Sequence, residues 1–212
     1  MHALVLLTLS LSATPQFEDG SLLVLEHSNK PVAQVTGSSV THMAILFHQG
    51  DTEWVYEATP AKARSLTLAE YRRELSGLDR QGSEPTRVSV LEPKYPYSEM
   101  QLARMRSHAA SQVGRRYSVK GYVRGKESDG IHCAHLVAAT LQAGGRFQFE
   151  QAYATSPGDL VARVTPFHKP PVPLAVDAGK TNESWCDRSW TTWFNYGTWC
   201  RWACYETWTF CW

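Results

Sequence analysis

Cys133 is the lone thiol of the first 185 residues; the other four cysteines, Cys186, Cys200, Cys204 and Cys211, crowd the end of the chain. It falls in "SDGIHCAHLVAATLQAGG", residues 128–145, where an Asp129-Gly130 turn opens an apolar segment that closes on two glycines. Leu136, Val137, Ala139 and Leu141 suit a buried helix with Gly144-Gly145 as its left-handed stop. Cys133 is therefore expected in or just before the first helical turn. Unpaired backbone N–H groups and the positive end of the helix dipole both favour the thiolate there, the nucleophilic form of cysteine. The competing reading is a small buried thiol with no chemistry.

A thiol nucleophile needs a histidine base and commonly a third group that orients the histidine. Eight histidines are available, so position must choose among them. His132 and His135 flank Cys133, but their side chains are expected to project at other angles around the helix. His48 reads as part of a turn, His108 as part of a polar helix face, and His168 as part of a proline-rich stretch. His2 and His27 belong to the terminus and an early loop. His42 differs, because it enters the apolar run "THMAILF" directly after the small-residue loop "TGSSV". A polar side chain in such a strand is costly unless it faces a site. If the following "HQGDT" is the turn of a hairpin, Glu57 in "EWVYEA" lies beside His42, at most one register step away. A carboxylate there can fix the imidazole tautomer and stabilise its charged form. Taken singly, His42 reads better as a satisfied core histidine and Glu57 as a rim carboxylate; only the trio on one strand–strand–helix frame brings the catalytic reading level.

The elements that must carry these groups follow from local pattern. Residues 21–26, 41–47, 53–58 and 87–92 read as strands, the second and third forming the hairpin. Thr67 and Glu70 make a capping box for a helix over 67–75, and Ser98 and Gln101 make another for a helix from Ser98 to Val113. The predicted class is α+β, an antiparallel sheet packed against helices with Cys133 at a helix N-terminus.

Length, charge and composition bound the function. The chain has 212 residues, 43% hydrophobic and 19% charged, with net charge +1. That is enough for one domain with a substantial core, and no basic excess points to a nucleic-acid partner. Residues 3–11, "ALVLLTLSL", are too short to span a bilayer and read as a signal-peptide core within residues 1–16, implying export. From Pro166 four prolines fall in nine residues, so 166–184 reads as a semi-rigid linker. The tail, 185–212, holds seven of the eight tryptophans. In an exported protein its four cysteines can form two disulfides; their C-x13-C-x3-C-x6-C spacing lacks the usual zinc knuckles. Asn182-Glu183-Ser184 fits a glycosylation sequon, a match common by chance.

The blocks "GSLLVLE", "VTGSSVTHMAILF", "EWVYEA", "VGRRYSVKGY", "HCAHLV" and "TSPGDL" occur in this order between Gly20 and Leu160. Together they resemble the circularly permuted papain-like cysteine hydrolases of the NlpC superfamily, above all its YiiX/YaeF-like branch, with lecithin retinol acyltransferase more distantly similar. In that family the histidine strand precedes the cysteine helix. The resemblance implies a permuted papain-like domain over 17–165, with nucleophile Cys133, base His42 and orienting residue Glu57. Tyr117 in "GRRY" matches the family tyrosine ahead of the cysteine helix. With Ser39, Thr41 and His132, which flank the base and the nucleophile, it is expected to position substrate. His132, Ala134 and His135 stand where the family often has an aromatic residue before the cysteine and Ser-Glu after it, which leaves substrate preference open.

The expected activity is cleavage of an amide or ester through an acyl-thioester, with no metal and no cofactor. The substrate is a peptide, a cell-wall peptide or a lipid-linked amide or ester. Transfer of the acyl group to an acceptor other than water is the enzymatic alternative. A non-catalytic envelope or glycan-binding protein, working through its tryptophan-rich tail, is the alternative from another class.

Overall fold

The computed structural model describes residues 17–28, 30–78 and 87–176. The expected leader, the part of the expected linker after residue 176, and the tail with its four cysteines lie outside them.

Six strands form one antiparallel sheet: β1 (Leu22–Glu26), β2 (Val40–Gln49), β3 (Thr52–Ala58), β4 (Ala63–Thr67), β5 (Arg87–Leu91) and β6 (Val172–Pro173). Their order is β4-β3-β2-β1-β5-β6. Six α-helices accompany them: α1 (Lys30–Thr36), α2 (Leu68–Leu78), α3 (Glu99–Gln112), α4 (Lys120–Arg124), α5 (Cys133–Ala143) and α6 (Pro157–Val164). The α+β class is the one expected.

The period of two along the strands divides the core. Leu22, Val24, Met43, Ile45, Phe47 and Tyr56 pack against α3, α5 and α6. Leu23, Leu25, Ala44, Leu46 and Val55 turn the other way, onto Leu68, Tyr71 and Leu75 of α2. Both capping boxes form, Thr67 with Glu70 before α2 and Ser98 with Gln101 before α3.

β2 and β3 form the expected hairpin, closed at Gly50-Asp51 with Gly50 at φ 61°. The left-handed backbone that a two-residue turn requires is the reason glycine sits there. The register differs from expectation. Glu57 pairs with Ala44, not His42, so it is the diagonal neighbour of His42 on the same face. A second irregularity precedes His42: Leu25 pairs with His42 and Glu26 with Val40, leaving Thr41 as the extra residue of a bulge. Bulges twist a strand locally and re-aim the side chains beside them.

The stretch from Pro166 is not a free linker where it is described. His168 is buried and bonded to the Val164 carbonyl, Val172–Pro173 pairs with β5, and Leu174 packs under the α2 side of the sheet. Proline at an edge strand loses no ladder bond that the sheet needs, so proline density here marks the end of a sheet and not a spacer.

Gly130 locks the approach to α5. Ser118 and Ile131 are joined backbone to backbone, as are Ile131 and Arg116, and a methyl at Gly130 would stand 2.2 Å from the Ser118 Cβ. Gly130→Ala is expected to cost about 1–3 kcal/mol through overpacking. It should also slow Cys133 alkylation in the protein that still folds, because the displaced segment carries the helix start. An unchanged denaturation midpoint would refute this.

Candidate active site

Cys133 is the first residue of α5, and eight of the eleven residues of that helix are buried. The helix is capped by His132, whose backbone is extended and whose Nδ1 accepts the amide of His135 at 3.3 Å. The other ring nitrogen, Nε2, donates to the carbonyl of Tyr153 at 2.9 Å. These two bonds hold the ring of His132 against the helix start.

His42 reaches the thiol from β2 and hydrogen-bonds it. Its Nε2 lies 2.7 Å from Oε2 of Glu57, which leaves Nδ1 for sulfur. Glu57 is almost fully buried, and its other oxygen accepts from Arg64 Nε at 2.8 Å. Arg64 stands directly opposite Glu57 across the β3–β4 pair and continues to Glu74 of α2. A continuous chain therefore runs Cys133–His42–Glu57–Arg64–Glu74. It starts at a covered sulfur and ends at a carboxylate with its side chain 52% exposed.

The electrostatics follow from this chain. Burial alone would push the Cys133 thiol up. The neighbouring imidazoles of His132 and His42 outweigh burial and bring it down to about 6. Because Nδ1 of His132 already serves as an acceptor, the proton that stabilises the thiolate comes from His42. Burial also opposes charge on His42, but its bonds to Cys133 and Glu57, and the negative charges of both, raise it to about 10. Burial acts on Glu57 in the sense of raising its pKa; His42 and Arg64 outweigh it and hold the carboxyl below its ordinary value. The thiol lowered and the imidazole raised both favour thiolate and imidazolium, the charged form of a thiol nucleophile and its acid.

The structure brings Cys133, His42 and Glu57 together and sends two of the residues expected to position substrate elsewhere. Ser39 is exposed and bonds Glu26, and the Thr41 hydroxyl is engaged by Ser28. Both hold the loop ahead of His42. Tyr117 is buried with Ala58, Ala63, Ile131 and Leu136, and bridges to Ile131 two residues before Cys133, so it supports the nucleophile from beneath. His132 was expected to point away from the sulfur as a base; the N-cap conformation folds its ring back towards it.

Arg64, Glu74 and Tyr71 escaped sequence reasoning. β4 is short and carries no apolar alternation, so neither the strand nor its arginine stood out. Tyr71 packs on the α2 side with Ala44 and Val55, and its hydroxyl is buried without a hydrogen-bond partner among the described residues. Among the described residues no group of three His, Cys, Asp or Glu side chains could hold a metal ion, and no helix is long and apolar enough to cross a membrane.

No family model matches the chain, and no curated protein matches it in sequence. Among solved structures it is similar to the metalloprotein yiiX from Escherichia coli O157:H7, at 13% identity over 77% of this chain and 99% of that one, with a TM-score of 0.49.

Proposed function

We propose that the protein is a thiol hydrolase that cleaves an amide or ester, built on a permuted papain-like frame in which the histidine strand precedes the nucleophile helix. One observation carries the reading: a thiol at a helix N-terminus, hydrogen-bonded to an imidazole whose far nitrogen is held by a buried carboxylate.

Cys133 thiolate attacks the carbonyl carbon, and the oxygen that becomes negative is received by the amides of Cys133 and Ala134 at the start of α5, which helix geometry leaves without intrahelical acceptors while His132 caps the His135 amide. His42 then gives its Nδ1 proton to the departing amine or alkoxide, and the acyl group remains on sulfur as a thioester. In the second half His42, now neutral, takes a proton from water as that water attacks the thioester. The acid leaves and the thiolate–imidazolium pair is restored. Glu57 keeps the imidazole oriented throughout and favours its charged form.

Labelling with an acyl-type thiol probe, followed by peptide mapping, tests the proposal. Selective modification of Cys133 in the folded protein at neutral pH is expected. A folded protein whose Cys133 stays unmodified would return the chain to the binding-protein reading. Acyl groups recovered on an added amine and not in free acid would identify a transferase using the same thioester.

A further inference from the structure

We infer that Arg64 is a positioning residue of this site, gripping Glu57 by one oxygen so that the other stays on His42, and balancing the charge that the thiolate brings. The inference rests on the thiol-hydrolase reading and goes beyond it, because nothing in the nucleophile–base–acid chemistry itself calls for a guanidinium.

The geometry makes the grip specific. Nε and Nη2 of Arg64 lie 2.8 and 2.6 Å from the same oxygen of Glu57, while Nη1 and Nη2 lie 3.2 and 2.5 Å from the two oxygens of Glu74. The planar fork is thus held from both sides, by a strand neighbour and by α2. A lysine can supply the charge but not the two-sided fork. Glu57 has two oxygens, and one bonds His42. Without Arg64 the remaining oxygen would be buried and unsatisfied, so the carboxylate would rotate or draw in water, and His42 would lose its fixed support.

The charges add a second effect. Thiolate, imidazolium, carboxylate and guanidinium sum to zero within a covered region. The titratable groups that face it are Glu57 from β3, Arg64 from β4, Tyr71 and Glu74 from α2, and His132 ahead of α5. Glu74 is half exposed and screened by solvent, so Arg64 is the counter-charge that matters. Removing it leaves the region one unit negative, and the system responds by binding a proton. The sulfur is where that proton goes.

The test follows Cys133 alkylation against pH, and turnover once a substrate is found, in wild type, Arg64→Met and Arg64→Lys. Arg64→Met is expected to move the acid limb of alkylation up by roughly half a pH unit, less than a charge in direct contact would give, because Arg64 acts on the sulfur through Glu57 and His42. Arg64→Lys should keep the limb near its wild-type position and lose turnover several-fold, since charge survives and the fork does not. A thermal midpoint that falls in Arg64→Met while the limb stays in place would make Arg64 a merely structural residue and overturn the inference alone. If Arg64→Met does not fold, Arg64→Lys still decides: unchanged limb and unchanged turnover together overturn it. A wild-type limb at the free-thiol value overturns the hydrolase reading, and this inference with it.

Discussion

Iodoacetamide is expected to alkylate Cys133 along a pH profile whose acid limb has its midpoint near 6, the value set against burial by His132 and His42. The size of the effect depends strongly on where it is read. A free thiol with pKa about 8.5 is only about 3% thiolate at pH 7, whereas Cys133 would be almost fully ionised. A thiolate of lower pKa is also a weaker nucleophile, by roughly tenfold for a drop of this size. At pH 7 the two effects nearly cancel. At pH 5.5 the ionised fraction differs by roughly two hundredfold, so Cys133 should react on the order of ten times faster than an unperturbed thiol. In His42→Ala the limb should rise towards the free-thiol value, because only His132 is left to oppose burial, and the rate at pH 6 should drop several-fold. Hydrolysis should fall by at least about a thousandfold in His42→Ala and in Cys133→Ser, as expected when a nucleophile–base unit loses either member. Identical limbs in wild type and His42→Ala would show that the imidazole does nothing for the sulfur.

The second large effect is expected from Glu57→Gln. Shape is kept, but the charge that faces both His42 and Arg64 is gone. Removing one partner of a buried ion pair costs about 3–5 kcal/mol; since the Arg64 side chain is one-third exposed and keeps Glu74, the loss should sit near or below the low end of that range. The carboxyl pKa is depressed, so its share of stability is present above the ordinary glutamate pKa and is lost as pH falls through the folded value. Glu57→Gln should therefore flatten the acid side of the stability curve as well as lower it. Activity should fall by about a hundredfold or more, because an uncharged amide stabilises the imidazolium poorly and permits the wrong tautomer. Denaturant midpoints across pH, together with turnover, measure both. A variant as active as wild type would remove Glu57 from the mechanism.

Much of this arrangement is legible in the chain because it is written in local signals. The helix that starts at Cys133 follows from a turn before it and glycines after it, and the capping boxes at Thr67 and Ser98 need only four residues each. His42 stood out because a polar residue opens an apolar strand. Long-range partners left weaker traces. Arg64 becomes meaningful only when β4 lies against β3, and "ARSLT" has no alternation to announce a strand. Glu57 was placed near His42 by turn geometry alone, and the true turn at Gly50-Asp51 sets it opposite Ala44. Proline in "PPVPL" suggested a spacer because composition says nothing of an edge that can take a residue without an amide proton. The capping role of His132 left no trace because side-chain angles along a regular helix do not describe an N-cap, where the backbone is still extended.

The cover over the sulfur has a consequence for its chemical lifetime. Cys133 is 4% exposed, and the side chain of His42, at 18%, is the more open of the two. Thiolates of low pKa are the species that peroxide converts to sulfenic acid, and onward irreversibly to sulfinic acid, unless a second thiol intercepts. Among the described residues there is no second cysteine to do so. Within the described domain no neighbouring thiol stands ready to capture a sulfenic acid, so the protection the domain itself gives this sulfur is steric. The burial that covers the thiol also keeps oxidants from it, tying the durability of the site to the same packing of α5 against the sheet that positions it.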